Sequence, residues 1–421
     1  MGAGGACDDG DVQTNLVTLA DIQKAREVLG DVIRLTPMEP CRPLAGLVGG
    51  PVWMKCENLQ RAGAYKVRGA LVRISGLSPA ERARGVVAAS AGNHAQGVAV
   101  AADLCHTSAT VFMPVGAPLP KVAATRGYGA KVQLVGDTVD ESLIAAAEYA
   151  ERTGAIFIHP FDHPDVIAGQ GTVGLEILEQ CPEVKTIITG VGGGGLVSGI
   201  AVAVKALRPD VRIIGVQAAG AAAMVSSIKA GEPTRIQSYS TVADGIAVGR
   251  PGDLTFAHVQ ALVDDVVTVT DEDISRALLV LLERCKLVVE PAGAVGIAAL
   301  LAGVVKVETP VVAVLSGGNI DPLLLVKVIE HGLAAAGRYL RVMVRCTDRP
   351  GQLAMLLAQI ADLGANVVDV EHQRHDPRLR LGEVEVALSV ETRGAEQSDR
   401  LVSALRAAGY VVTFTGAYGT R

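Results

Sequence analysis

The sequence predicts an α/β protein: a large unit built on parallel sheets, then a smaller βαββαβ unit of ferredoxin-like type. Three observations carry that expectation. Short β-branched runs alternate with longer Ala- and Leu-rich segments from Thr18 to about His331, the signature of βαβ units. Hydrophobic residues make up 49% of the 421-residue chain but aromatic residues only 3%, a mix suited to strands buried on both faces beneath helices. Beyond a small-residue stretch at Ala334–Arg338 the order of elements changes, which marks a domain boundary.

Residues 1–16 are rich in Gly and Asp and lack the apolar stretch of a signal peptide. They are expected to form a disordered lead-in. Residues 17–333 form the larger unit, with a smaller subdomain inserted at about 55–155. Its expected strands include Gly85–Ala89, Ala109–Met113, Lys131–Val135, Thr186–Thr189, Arg212–Gln217 and Val311–Leu315. In parallel sheets ligands bind at the carboxyl ends of strands. Three loops at such ends are unusual: Ser90–Gly97, Gly190–Gly199 and Ser316–Asn319. Residues 334–421 read as strand Tyr339–Cys346, helix Gly351–Leu363, strands Ala365–His372 and Gly382–Val390, helix Gln397–Ala408 and strand Tyr410–Thr415.

Composition removes several function classes. Net charge is −6 with both signs dispersed, so no basic face offers itself to nucleic acid. No uncharged apolar run reaches the roughly 18 residues of a membrane span. Seven cysteines are scattered without a CxxC pair, which suits reduced thiols in the cytoplasm.

Four motifs carry chemistry. Lys66 lies at a helix start among Ala62, Gly63, Ala64 and Val67. A lysine kept from water loses part of its preference for the ammonium form, and the neutral amine is what attacks an aldehyde. A surface lysine beside Arg68 is the bland alternative. Ser90-Ala91-Gly92-Asn93-His94 follows a strand; Asn93 offers a rigid amide donor there, or Ser90 or Asn93 simply caps a helix. Gly192, Gly193, Gly194 and Gly195 precede Leu196 and a helix, which exposes backbone N–H groups as a phosphate cradle. The run also fits GxGxxG. However, the next strand ends at Gln217 rather than the acidic residue a ribose requires, and no P-loop lysine follows. Ser316-Gly317-Gly318-Asn319 places a neutral hydroxyl after the last strand, or forms only a tight turn.

Together these motifs resemble the fold type II (tryptophan synthase β-like) pyridoxal-phosphate enzymes, most closely their threonine/serine dehydratase branch, over roughly Thr18–His331. The resemblance implies pyridoxal 5′-phosphate as cofactor and Lys66 as the lysine bonded to its aldehyde and the general base. Asn93 is implied at the ring oxygen, Gly192–Leu196 at the phosphate, Ser316 at the ring nitrogen and Glu290 beside the ring. The substrate carboxylate is implied on Ser90, Ala91, Gly92, Asn93 and His94, with Ser90 also catalytic. The segments His159–Asp162, Gly169–Thr172 and Thr241–Val248 look like the same branch. Ala64-Tyr65 stands where the family often has Ser-Phe. Ala91 stands where racemases of the branch carry a serine on the opposite face, which favours elimination over racemisation. Some relatives bind a divalent cation after the Gly-Val-Glu strand; here Gln217 is followed by Gly and Ala only, and no metal is expected. His159 and His163 are set apart by Pro160 and Pro164 rather than aligned as ligands.

The C-terminal unit, with Asp348, Gly351, Gln352, Leu353 and Asn366, resembles an ACT domain. That implies an amino-acid effector, isoleucine or valine, and a homodimer or homotetramer; oligomerisation alone is the competing role. The implied reaction converts L-threonine to 2-oxobutyrate and ammonia, and L-serine to pyruvate. Isoleucine biosynthesis and threonine breakdown both stay open as its setting. The alternatives are a serine racemase or other β-replacing enzyme of the same fold, or an inactive amino-acid sensor.

Overall fold

The computed structural model describes residues 16–335, 337–374 and 379–414. The expected lead-in lies outside them save for its last residue, as do Ala336 in the boundary stretch and Thr415 at the end of the last expected strand. The chain forms two compact units, residues 1–321 and 322–421. The helix Pro322–Ala335 therefore belongs to the second.

The first unit holds ten strands among its described residues: β1 (Met38–Pro40), β2 (Val52–Lys55), β3 (Val86–Ala89), β4 (Ala109–Met113), β5 (Lys131–Leu134), β6 (Ile156–Phe157), β7 (Thr186–Gly190), β8 (Arg212–Ala218), β9 (Asp265–Val269) and β10 (Val311–Val314). They make two sheets. One runs β1-β2-β10-β7-β8-β9, parallel except for β1; the other runs β5-β4-β3-β6 and is parallel throughout. The second sheet is drawn from chain lying between β2 and β7. Val86–Ala89, Val311–Val314 and Thr186–Gly190 are buried at every position. They carry no polar alternation because helices cover both faces of such a sheet.

The helix Pro164–Gln180 joins the two halves of the site. It crosses the helix Lys66–Ser75 where glycine faces glycine: a Cβ on Gly169 would lie 2.6 Å from the Gly69 Cα. Two residues later it crosses the helix Gly195–Leu207, where a Cβ on Gly199 would lie 2.5 Å from the Gly171 N. Removing these side chains lets the helix that starts at Lys66 and the helix that starts at the glycine loop pack on one common support.

Charge locks the first crossing. Arg68, 1% exposed, donates to Glu57 from Nε and Nη2 at 2.8 Å and to Glu176 from Nη1 at 2.6 Å. Lys55 Nζ, also fully enclosed, lies 2.6 Å from Glu176 and donates to the Thr36 carbonyl at 2.9 Å. Two cations against two carboxylates leave no net charge to bury, and the fork geometry of Arg68 satisfies both partners.

In the second unit β11 (Tyr339–Thr347), β12 (Asn366–Gln373), β13 (Glu383–Glu391) and β14 (Val411–Phe414) form an antiparallel sheet in the order β12-β13-β11-β14. With helices Gln352–Asp362 and Ala395–Ala407 between them, this is the βαββαβ ferredoxin-like arrangement. Its core joins Val342, Val344, Val386 and Leu388 of the sheet to Leu356, Ile360, Leu401 and Leu405 of the helices. No helix among the described residues is long and apolar enough to cross a membrane.

Candidate active site

The loops after β3, β7 and β10 meet with the start of the helix Lys66–Ser75 where the carboxyl ends of the two sheets face each other. Several helices of the first unit begin at a side-chain cap, such as Thr18, Ser78, Thr138 or Thr270. Two at the site begin at glycine instead. The helix Asn93–Leu104 is capped by Gly92 and the helix Gly195–Leu207 by Gly194, neither offering a side-chain hydrogen bond. The first N–H groups of a helix have no acceptor within it, so both ends present donors and positive potential to an anion.

The glycine loop is shaped by its neighbours. Gly194 has φ +101°, a conformation that other residues resist. A Cβ there would press on Thr255 at 2.9 Å, one on Gly192 would meet the Ile246 Cα at 3.0 Å, and one on Gly193 would enter the Phe161 ring. Thr255 Oγ1 donates to the Gly193 carbonyl at 2.6 Å, which turns that oxygen away and fixes the orientation of the loop amides. Asp162 holds Thr255 in place by accepting from the backbone N–H groups of Asp253 and Thr255 at 3.1 and 3.0 Å.

Lys66 keeps part of its surface open, but its amine is enclosed. Nζ donates to the Pro160 carbonyl at 2.8 Å and lies 5.3 Å from the Tyr65 ring centroid. Burial lowers the ammonium to about 8, with the carboxyl of Glu290 working against it. Asn93 joins the two sheets: Nδ2 donates to Glu290 Oε1 at 2.5 Å, and Oδ1 accepts from Asn319 Nδ2 at 2.8 Å. Asn319 also donates to the Ala62 carbonyl at 2.7 Å. Burial, and next the nearby Asp244 carboxylate, push Glu290 up to about 7, while Lys121, the Asn93 bond and Lys66 pull it back.

Ser316 is buried, with Oγ 3.5 Å from the Ala292 carbonyl, and its own carbonyl accepts from the Tyr65 N–H at 3.2 Å. That bond ties the loop after β10 to the residue before Lys66. Ser90 accepts from the Gly92 N–H at 3.1 Å; Ser90, Ala91, Gly92 and Asn93 remain partly open. The His94 ring turns inward, with Nε2 2.8 Å from the Ile158 carbonyl. Burial and then the neighbouring Lys66 lower it to about 3, so the ring is neutral and only its backbone N–H faces the opening. Leu196 is buried on the helix behind the loop.

Lys66, Ser90, Ala91, Gly92, Asn93, His94, Gly192–Leu196, Glu290 and Ser316 thus gather at one place. Sequence reasoning missed Asn319, Thr255 and the Arg68–Glu57–Glu176 cluster as parts of it. Asn319 closes the Ser316 motif and Glu57 and Arg68 flank Lys66, so position in a motif was a usable signal for these. Thr255 lies in an unremarkable helix and had none. In the second unit, Gly351 takes φ +85° in the turn before the helix Gln352–Asp362; Asp348 pairs with Arg374 at 3.4 Å and Gln352 Nε2 donates to the Tyr410 hydroxyl at 3.3 Å. Asn366 opens β12 and Leu353 packs on the core. Among the described residues no group of three or more His, Cys, Asp or Glu is placed to hold a metal ion.

A weakly basic lysine with an enclosed amine and a side-chain-free loop at a helix start fit a protein that holds a phosphate-bearing aldehyde cofactor. Residues 29–317 match the family model "Pyridoxal-phosphate dependent enzyme". The chain is 45% identical over 401 residues to an L-threonine ammonia-lyase of Thermotoga maritima, covering 95% of this chain and all of that one. Among solved structures it resembles the processed form of threonine deaminase isoform 2 from Solanum lycopersicum, with TM-score 0.71 and 39% identity over 78% of this chain and 94% of that one. It also resembles maize serine racemase, with TM-score 0.71 and 37% identity over 76% and 98% of the two chains. The chain belongs to the pyridoxal-phosphate dependent enzyme family, and pyridoxal phosphate is its cofactor.

Proposed function

We propose that the chain is an L-threonine ammonia-lyase, converting L-threonine to 2-oxobutyrate and ammonia and L-serine to pyruvate and ammonia. The observation that carries this is the one-sided placement of proton-handling groups. By the resemblance, Lys66, its ammonium depressed, would stand on one face of the bound cofactor, and Ala91 offers no hydroxyl where racemases of the branch carry a serine on the other. A base on one face removes the Cα proton but has no partner to return it from the opposite face, so elimination is favoured over racemisation.

Each residue then has a task. Gly192, Gly193, Gly194, Gly195 and Leu196 would hold the cofactor phosphate through backbone N–H groups, and Lys66 would hold the cofactor at its amine. When bound, pyridoxal phosphate supplies an electron sink that weakens the Cα–H bond of the amino acid. The amides at the start of the helix Asn93–Leu104, with Ser90, hold the substrate carboxylate. The Pro160 carbonyl steers the free Lys66 amine as it takes the Cα proton. Ser316 would meet the ring nitrogen with a neutral hydroxyl, and Asn93, its amide fixed by Glu290, would meet the ring oxygen. The Cα proton and the β-hydroxyl leave together as one water, and one water then hydrolyses the resulting enamine, so threonine leaves as 2-oxobutyrate and ammonia.

Residues 322–421 contain an ACT domain in this proposal. Isoleucine or valine binds at the turn Asp348–Leu353 beside Asn366, in a cytoplasmic homodimer or homotetramer. The unusual φ of Gly351 and the βαββαβ order support it.

The test is a visible spectrum of the purified protein followed by L-threonine and keto-acid detection. The cofactor band with 2-oxobutyrate supports the assignment; the band without product removes it. Similarity to maize serine racemase makes D-serine the second product to assay, and chiral separation after incubation with L-serine decides between them.

A further inference from the structure

The turn Ala243–Val248 has no task in the mechanism above, yet it touches two parts of the site and a lysine of the other sheet's helices. Its Ile246 backbone limits Gly192, a Cβ on Gly245 would lie 3.5 Å from Glu290 Oε1, and the Asp244 carboxylate accepts a hydrogen bond from Lys121. The turn is anchored from behind: Thr241 Oγ1 donates to Asp271 at 2.5 Å and the Val242 N–H to the same carboxylate at 3.0 Å. Lys121 comes from the other half of the unit, in the helix Leu119–Gly127 after β4, and is only 8% exposed. A lysine so far from water needs a counter-charge, and Asp244, itself more than half exposed, is the one that lies across the opening.

We propose that Lys121 and Asp244 are positioning residues that form a latch, an ion pair drawing the β3–β6 sheet onto the glycine loop and setting the charge around Glu290. The exposed pair Arg235–Asp140, at 3.1 Å, also joins chain from the two sheets, but water screens it and it contributes little. The Lys121 pair is enclosed at one end and adjoins the site. When the halves separate, Lys121 gains water and Asp244 loses its partner; when they close, both act on Glu290 with opposite sign. The groups facing Glu290 are Asp244 and Lys121 from these two elements, Asn93 from the helix after β3, and Lys66 with Tyr65 from the lysine helix.

The latch rests on the function proposed above, so its test includes readouts that need no turnover. Holoenzymes carrying Asp244→Asn, Lys121→Gln and both together are compared with the parent by amide hydrogen exchange over residues 119–127 and 241–248. Each single change should speed exchange in both segments by tenfold or more, and the double change no further than either single one. The pH titration of the cofactor band should move down in Asp244→Asn and up in Lys121→Gln, a reversal that mere loss of structure does not produce. With L-threonine, kcat/KM should fall at least tenfold, chiefly through KM. Exchange confined to the substituted segment, additive effects, or titrations moving the same way overturn the latch. Because Asp244 is exposed, its substitution reads the pair even if Lys121→Gln folds poorly. A parent enzyme inactive on threonine overturns the proposed function but leaves the exchange result to decide the latch.

Discussion

At Lys66 the enclosed amine finds a neutral acceptor, the Pro160 carbonyl, and its ammonium is lowered to about 8. The sign of the consequences follows. The amine is neutral above that pH, so capture of added pyridoxal phosphate by cofactor-free protein should accelerate with a midpoint near pH 8, read as growth of the visible band. A midpoint near the ordinary lysine value would remove the burial argument. For stability the folded value lies below the unfolded one, so the contribution of Lys66 is fully present above 10.5 and lost as pH falls through about 8. Cofactor-free Lys66→Met should therefore gain on the parent as pH falls from about 10.5 to about 8 and keep that gain below it, measured by urea midpoints. Lys66→Ala should lose both band and turnover. At Gly194, aspartate would bring a Cβ against Thr255 and a negative charge to a phosphate site; equilibrium dialysis should show cofactor affinity lowered by a hundredfold or more.

Among the elements, the helix Pro164–Gln180 decides where two others start. Gly169→Val would push against the Gly69 backbone, which cannot move aside as a side-chain tip could. Overpacking of this kind costs about 3 kcal/mol, and the displaced lysine helix should also lose kcat, as denaturation and steady-state assays would show together. Arg68→Leu leaves Glu57 and Glu176 without their bidentate partner. Breaking such a buried pair costs about 3–5 kcal/mol. A loss under about 1 kcal/mol in urea melts would mean the carboxylates find water, against their burial.

For the whole molecule, the sequence resemblance implies catalysis in the first unit and effector binding in the second. If the second unit carries the effector site, L-isoleucine or L-valine added to the full chain should change kcat/KM for threonine, and Asp348→Ala, with its ion pair to Arg374 gone, should remove that response while basal turnover stays. An Asp348→Ala enzyme that responds as the parent does would place the effector elsewhere. The arrangement of elements was legible at this scale because the expected strand runs were short, mostly apolar and set between longer helical segments; observed strand ends lie within a residue or so of those expected, as at Ala109–Met113.

Read by itself, the sequence determined the parallel-sheet class, the βαββαβ order of the second unit and the motifs that gather at the site, because periodicity and glycine-rich strand ends are local properties. It also carried Ala91, whose meaning is the absence of a hydroxyl. Only the tertiary structure decided which charges meet. Arg68 with Glu176, Asn93 with Glu290 and Asn319, and Lys121 with Asp244 are pairs from distant parts of the chain. Their partners are chosen by burial: a polar group removed from water takes whichever counterpart the packing of helices and sheets brings within reach, and no spacing in the chain specifies that counterpart.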